Sequence, residues 1–291
     1  MNQAQAEAAS SATHWRADLH LGFAHRRDST RLVVSEHRGP LYVQRPFYPE
    51  GPDCAHTYIL HPPGGLVSGD ELCIRVELGE NTKALLTTPG AGRAYRARDN
   101  QTQQVQQVRL TAASGAQLEW FPLETIAFPG ADVALHTEID LAADARLAAW
   151  EVSCFGLPAV DARFDQGRFE QGYRVSIDGR PVFVDRFAIG DHNRHLIDAR
   201  AALQGQPVYG FFLMGPFAET NDDTLVDSLR AIASHSGYQR HSALTRVGNF
   251  YLGRYLGPSA EQARRCFQGW WRELRPLLLD RPAKSPRIWL T

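Results

Sequence analysis

Three glutamates in the aromatic middle of the chain are the side chains best placed to do chemistry. Glu119 lies between Leu118 and Trp120, Glu124 precedes the apolar run Thr125–Phe128, and Glu151 lies between Trp150 and Val152. Simple alternation would put a lone carboxylate of this kind on the wet face of a strand. If the sheet is covered on both faces, the same groups become buried charges that need partners or water. Two carboxylates across one cavity, such as Glu119 and Glu151, could attack a glycosidic bond by acid–base catalysis. They could equally line a polar passage for a cation.

A second concentration of special residues is the loop His61-Pro62-Pro63-Gly64-Gly65-Leu66-Val67-Ser68-Gly69-Asp70. Prolines fix φ and glycines permit positive φ, so this segment has one shape. It joins two alternating runs, His56–Leu60 and Glu71–Leu78. A hairpin needs far fewer residues to reverse, so a shaped loop is expected here. Thr87-Thr88-Pro89-Gly90-Ala91 offers hydroxyls at another strand end, followed by Tyr95-Arg96.

The familiar catalytic signatures are missing. Gly64–Gly69 lacks the Gly-Lys-Ser/Thr ending of a phosphate loop, and Gly90-Ala91-Gly92 opens no long helix. No Gly-x-Ser-x-Gly elbow occurs. His192-x-x-His195 would set two imidazoles on one turn but has no third ligand nearby in sequence, so a solvated turn is the better reading. Cys54, Cys73, Cys154 and Cys266 are scattered and read as small buried hydrophobes, which indicates neither a disulfide framework nor a zinc site.

The elements that must carry these groups are mainly strands. Ala17, Leu19, Leu21 and Phe23 alternate with polar residues, as do Leu135, Thr137, Ile139 and Leu141, and then Tyr173, Val175 and Ile177. Turn signals recur at Gly39-Pro40, Gly51-Pro52, Pro89-Gly90, Ser114-Gly115, Pro129-Gly130 and Asp178-Gly179. A sandwich, barrel or layered β architecture follows. No fixed repeat is visible, which disfavours a propeller or regular solenoid.

The last third is α+β. Val208–Met214 reads as a central strand, and Asn221–Ser234 as a helix with Thr220 or Asn221 as cap and Asp222 and Asp223 in its first turn. Strands at Ser242–Val247 and Phe250–Leu256 follow. Ser259 then caps a second helix to about Leu274, with Trp270 and Trp271 on or near its apolar face. Residues 1–13 are expected to be a disordered tail, not a signal peptide. A single domain over 14–291 is expected, with a β-rich body to about 205 and an α+β part over 206–291. A net charge of −1 excludes an electrostatic case for nucleic acid or an anionic membrane, and no apolar run could span a bilayer. A soluble cytoplasmic protein is the expectation.

The motifs resemble one family. His61–Val67 with Gly69-Asp70 is similar to the signature of the urease accessory protein UreD, called UreH in some organisms. Leu85–Ala91 with Tyr95-Arg96, Leu118–Pro122 with Glu124-Thr125-Ile126 and Phe128–Ala131, Trp150-Glu151 with Gly156-Leu157-Pro158, and Pro286–Thr291 match further blocks in order. The resemblance implies a mainly β, helix-like stack of many short strands, with an α+β C-terminal part carrying two helices. It implies a non-enzymatic scaffold that binds apo-urease and UreF, with UreG joining through UreF. It also implies transient Ni²⁺, and no tightly held cofactor, moving through an internal polar tunnel. The groups expected to line that tunnel are Glu119, Glu124, Glu151, Thr88 and Asp70. His61 is expected to anchor its turn through the ring nitrogens, while Pro62, Pro63, Gly64 and Gly65 shape the tunnel or its mouth. The UreF-facing surface is expected on the two C-terminal helices, with Trp270 and Trp271, and on the apolar hook Ile288, Trp289 and Leu290. Docking of that hook on the chain's own body is the alternative.

Overall fold

The alternating runs form strands that pass back and forth between two sheets. The structure is a computed structural model and describes residues 15–99, 102–218, 223–235 and 237–290. β1 (Trp15–Arg26) and β2 (Ser29–Arg38) pair antiparallel at one edge of a seven-stranded sheet. β3 (Tyr42–Val43) and β4 (Cys54–Leu60) begin a ten-stranded sheet. The chain then alternates. β5 (Asp70–Leu78), β8 (Gln104–Ala112), β11 (Asp132–Leu141) and β13 (Arg168–Ile177) stack in parallel beside β1 in the seven-stranded sheet. β6 (Lys83–Thr87), β9 (Gln117–Phe121) and β12 (Arg146–Phe155) stack in parallel beside β4 in the other. Two short strands, β7 (Gly92–Ala94) and β10 (Thr125–Ala127), extend the stack beside β12.

This is a mainly β fold and a coiled stack of strands, although no sequence repeat announced it. The register shows why. Cys54 to Lys83 is 29 positions, Lys83 to Gln117 is 34, and Gln117 to Arg146 is 29. Coils of unequal length hide the period that regular solenoids display. The Pro-Pro-Gly-Gly loop crosses between the sheets, from β4 to β5, which explains its length.

Antiparallel strands complete both sheets. β14 (Arg180–Ile189) closes the far edge of the first, and β15 (Val208–Gly215), β16 (Ser242–Val247) and β17 (Phe250–Gly257) extend the second. Helix α1 (Asp223–His235) precedes β16, and α2 (Ala260–Leu279) follows β17. The Ser259 hydroxyl caps α2 by accepting from the Gln262 N–H at 3.3 Å. The cap expected for α1 at Thr220 or Asn221, Asp222 beside it, and residues 1–13 lie outside the described residues. Among those described, no helix is long and apolar enough to cross a membrane.

Two apolar cores result from the two faces of the ten-stranded sheet. One lies between the sheets and contains Leu19, Val76, Leu110, Ile139, Leu147 and Phe211. The other lies between the ten-stranded sheet and the helices and contains Trp150, Phe212, Phe267, Trp270, Trp271 and Leu274. Trp270 and Trp271 are fully buried there. This corrects their expected place on a docking surface, because burying two indoles on the sheet stabilises α2 more than exposing them would. Gly253 permits the fit, since a Cβ on it would meet the Trp270 ring at 2.1 Å. Helix α2 continues past its expected end at Leu274, through Pro276 to Leu279. Proline costs one backbone hydrogen bond, but the buried Arg275, Leu278 and Leu279 hold the last turn in place.

Candidate functional site

Alternation along neighbouring strands sends the three glutamates to different places. Leu118 and Trp120 of β9 face the inter-sheet core, so Glu119 faces the helices. On β12, Leu147, Ala149 and Phe155 face the inter-sheet core while Trp150 and Val152 face the helices, so Glu151 points between the sheets. The two carboxylates lie on opposite faces of one sheet. They cannot flank a single glycosidic bond, which removes the carbohydrate-enzyme reading of this pair.

Glu119 belongs to a buried clamp on α2. It accepts from Trp271 Nε1 at 2.6 Å, and from Arg275 Nε at 3.0 Å and an Arg275 terminal nitrogen at 2.7 Å. The same guanidinium donates to both oxygens of Glu50, at 2.6 and 2.9 Å, and to the Pro282 carbonyl. His56 Nε2 donates to Glu50 at 2.6 Å. Glu50, Cys54 and His56 bring their ligand atoms within 4.8 Å of one another, the one such trio among the described residues. With Arg275 already matched to Glu50, the trio reads as part of the ion network rather than as a metal centre. Glu124 is likewise tied to α2, 3.0 Å from Arg264.

Glu50 makes this clamp pH-dependent. Burial alone would raise its carboxyl, but hydrogen bonds from His56 and Arg275 and the Arg275 charge outweigh it and hold the group at about 2. A carboxyl lowered by folding stabilises the protein above its unfolded value and loses that contribution as pH falls through the folded one. Stability is therefore expected to drop by about 3 kcal/mol as the medium passes from ordinary carboxylate pH down through that value. Urea unfolding at stepped pH should show this acid limb, and Glu50→Gln should flatten it.

Glu151 sits in a different setting. Its carboxylate accepts from the Thr137 hydroxyl at 2.6 Å and the Gln171 amide at 2.5 Å, both from the facing sheet. The Trp120 indole N–H lies alongside without a well-formed hydrogen bond. Burial pushes the carboxyl above its usual range against the hydrogen bonds from Thr137 and Gln171, and the Asp185 charge adds to the rise. Glu151 is half-buried, held between the sheets by these two hydrogen bonds.

Two residues along β12, Ser153 has polar neighbours on the strands at both its sides. Ser153 donates to Gln171, and Thr125 sits beside Ser153 in register. Thr125 lines a cavity of about 180 Å³ together with His61, Gly64, Thr88 and Gln106. In the other direction Ser153 pairs in register with Tyr209, whose hydroxyl donates to Asp185 at 3.0 Å. Arg254 also donates to Asp185, at 2.7 Å. Tyr209 and Arg254 line a groove of about 1030 Å³ roofed by residues 192–206. Elsewhere on the two sheets, the Thr57 hydroxyl, the Tyr173 hydroxyl and Gln104 Oε1 are buried without hydrogen-bond partners among the described residues. Apolar cores do not leave such atoms bare, and water is their ordinary partner.

The remaining expected residues divide. Thr88 lines the smaller cavity, where its hydroxyl donates to the Gly90 carbonyl and accepts from the Leu123 N–H. Asp70 closes the loop instead, accepting from the Val67 N–H at 2.8 Å. His61 does not anchor its turn through the ring. The turn is held by the Gly64 N–H to the His61 carbonyl, while His61 Nε2 is buried without a partner among the described residues. Gly65 is required there, since a Cβ would meet the Tyr95 ring at 2.5 Å. His192 lines the large groove and His195 lies on a separate 3₁₀ turn, so the two do not form a site.

The C-terminal hook docks on the chain's own body. Trp289 packs against Phe121, Trp150 and Trp271 at centroid distances of 6.0, 5.3 and 5.9 Å, and its Nε1 donates to Thr87 Oγ1 at 2.9 Å. Ile288 is half-buried and Leu290 is exposed. Trp289→Ala is expected to cost about 2–3 kcal/mol, below the full-core value because the ring is half-buried. Chemical denaturation measures that loss, and limited trypsin digestion should show faster cutting after Lys284 and Arg287.

Two stacked sheets around an apolar core, a helical clamp on one of them and a polar cluster at Glu151 between them describe a mainly β protein. The UreD family, described as UreD urease accessory protein, matches residues 16–290. The chain is 46% identical over 287 residues to the urease accessory protein UreD of Marinomonas sp. (strain MWYL1), covering 96% of this chain and 91% of that protein. It is 41% identical over 278 residues to the protein of that name from Dechloromonas aromatica (strain RCB), covering 95% of each. This chain belongs to the UreD urease accessory protein family, and its role lies in urease maturation.

Proposed function

We propose that this chain is a non-enzymatic cytoplasmic scaffold. It binds apo-urease and UreF, with UreG joining through UreF, and lets Ni²⁺ pass between its two sheets towards urease. The observation that carries the reading is Glu151, a half-buried carboxylate held between the sheets by Thr137 and Gln171, with Ser153 beside it in register with Thr125 at a small cavity and with Tyr209 at the large groove. Ni²⁺ accepts oxygen and imidazole ligands. A passage must attract the ion and still release it, which a spaced set of oxygens and one imidazole does better than a closed cage.

The residues assigned to the path are His61, Thr88, Thr125, Ser153 and Glu151. Glu119 and Glu124 leave it because α2 occupies their carboxylates, and Asp70 leaves it because the loop does. At the groove end the Arg254–Asp185 pair stands in the way, so passage there requires the two to part. For the UreF face, Leu290 and Ile288 remain, while Trp270, Trp271 and Trp289 serve the chain's own packing.

The test is co-expression of the full chain with apo-urease, UreF and UreG, recovery of the complex, and measurement of nickel in the urease. Nickel-loaded urease only when the chain is present supports the reading. Equal loading without it contradicts the reading.

A further inference from the structure

We infer that the C-terminal hook and the loop before β4 form a docking groove for an acidic amphipathic segment of a protein partner. A concavity of about 860 Å³ lies between them, with Phe47, Tyr48, Tyr58 and Leu290 on its apolar walls and Lys284 and Arg287 at its rim. Phe47 is 48% exposed and Leu290 84%, the latter the most exposed large hydrophobic side chain among the described residues. The hook's own docking does not need Leu290, since Trp289 supplies the inward contact. The groove is also pre-shaped. The Phe47 and Tyr58 rings stand 5.1 Å apart, and the Tyr58 hydroxyl lies against the backbone of Arg287 and Ile288.

Charge selects the occupant. Lys284 and Arg287 are exposed, and neither takes part in an ion pair among the described residues. Among the described residues, no acidic side chain lines the groove. An apolar floor under a cationic rim fits a segment with apolar anchors on one side and carboxylates beside them. A second copy of this chain would set cation against cation. A lipid surface takes several apolar groups that project together, whereas here Leu290 projects and Tyr48 and Tyr58 lie half-buried in the concavity.

The inference deepens the docking part of the proposed function, but its test needs no urease. Fluorescence anisotropy on the full chain compares two labelled peptides that share a leucine face, one with glutamate on its polar face and one with lysine. The glutamate peptide should bind, and the lysine peptide should not. The double variant Lys284→Glu/Arg287→Glu should weaken the glutamate peptide by about tenfold or more and admit the lysine peptide. Leu290→Ala, at a solvent-exposed position, should weaken binding severalfold without altering the melting temperature. Equal binding of both peptides, indifference to charge reversal, or capture of phosphatidylglycerol vesicles in preference to the peptide would each overturn the inference. Because the readout is peptide binding, losing the groove leaves the nickel passage standing, and losing the passage leaves the groove.

Discussion

Glu119→Ala is expected to destabilise this protein by about 3–5 kcal/mol, a large part of the stability of an ordinary domain. The reason is what it leaves behind. Arg275 is wholly buried, and Glu119 matches its charge from the sheet side by accepting from two of its nitrogens, while it also accepts from Trp271. Removing the carboxylate strands a guanidinium, an indole N–H and a cavity at the centre of the second core. Glu50 alone then faces Arg275. The converse variant, Arg275→Met, leaves Glu50 and Glu119 buried near each other without their cation. Burial would then push the Glu50 carboxyl up with less to oppose it, so the lost stability should be partly recovered as pH falls. Urea unfolding followed by tryptophan fluorescence measures both. Near wild-type stability of Glu119→Ala at neutral pH would show that the clamp is not what holds α2.

How much of this was legible in the sequence depends on which physical rule acted alone. The strand at Trp15–Arg26 and the strand at Asp132–Leu141 bury the alternate residues that period two picks out, because each has one apolar face and one polar face. The glutamates were legible as misfits in apolar surroundings. Their separate fates were not, because the side a residue faces depends on its register against its neighbours. Glu119 and Glu151 lie on parallel neighbouring strands, yet Glu119 pairs with Ala148, which is an odd number of residues from Glu151. Only that register puts one towards α2 and the other towards the facing sheet. Trp270 looked like an interface anchor for a related reason, since an apolar helix face does not say what covers it. Arg275 and Glu50 escaped notice altogether. The 225 positions between them carry no local signal, though an arginine inside an apolar helical stripe was itself the hint.

Glu151→Leu is expected to leave the maturation complex assembled while cutting nickel loading of urease by about tenfold or more, the scale at which altering a metal's surroundings changes its binding. Leucine fills much of the same volume but offers no oxygen to a cation, and it leaves the Thr137 hydroxyl and Gln171 amide without their acceptor. The stability cost of that loss is expected to be modest, about 1–3 kcal/mol. Thermal melting of the isolated chain therefore separates a folding defect from a delivery defect. Glu119→Gln, on the other face of the same sheet, serves as the comparison: it should lower stability yet leave loading in proportion to the amount of folded chain. Full loading with Glu151→Leu in a normally assembled complex would reduce the chain to a passive binder.

The central claim is that the interior between the sheets admits the metal, and locating the ion tests it most directly. Crystals of the chain with its partners, soaked in Ni²⁺ and measured for anomalous scattering at the nickel edge, should show the ion within coordination distance of Glu151, between β11 and β12. Nickel found only on surface histidines such as His192, with the inter-sheet space empty of signal, would contradict the account.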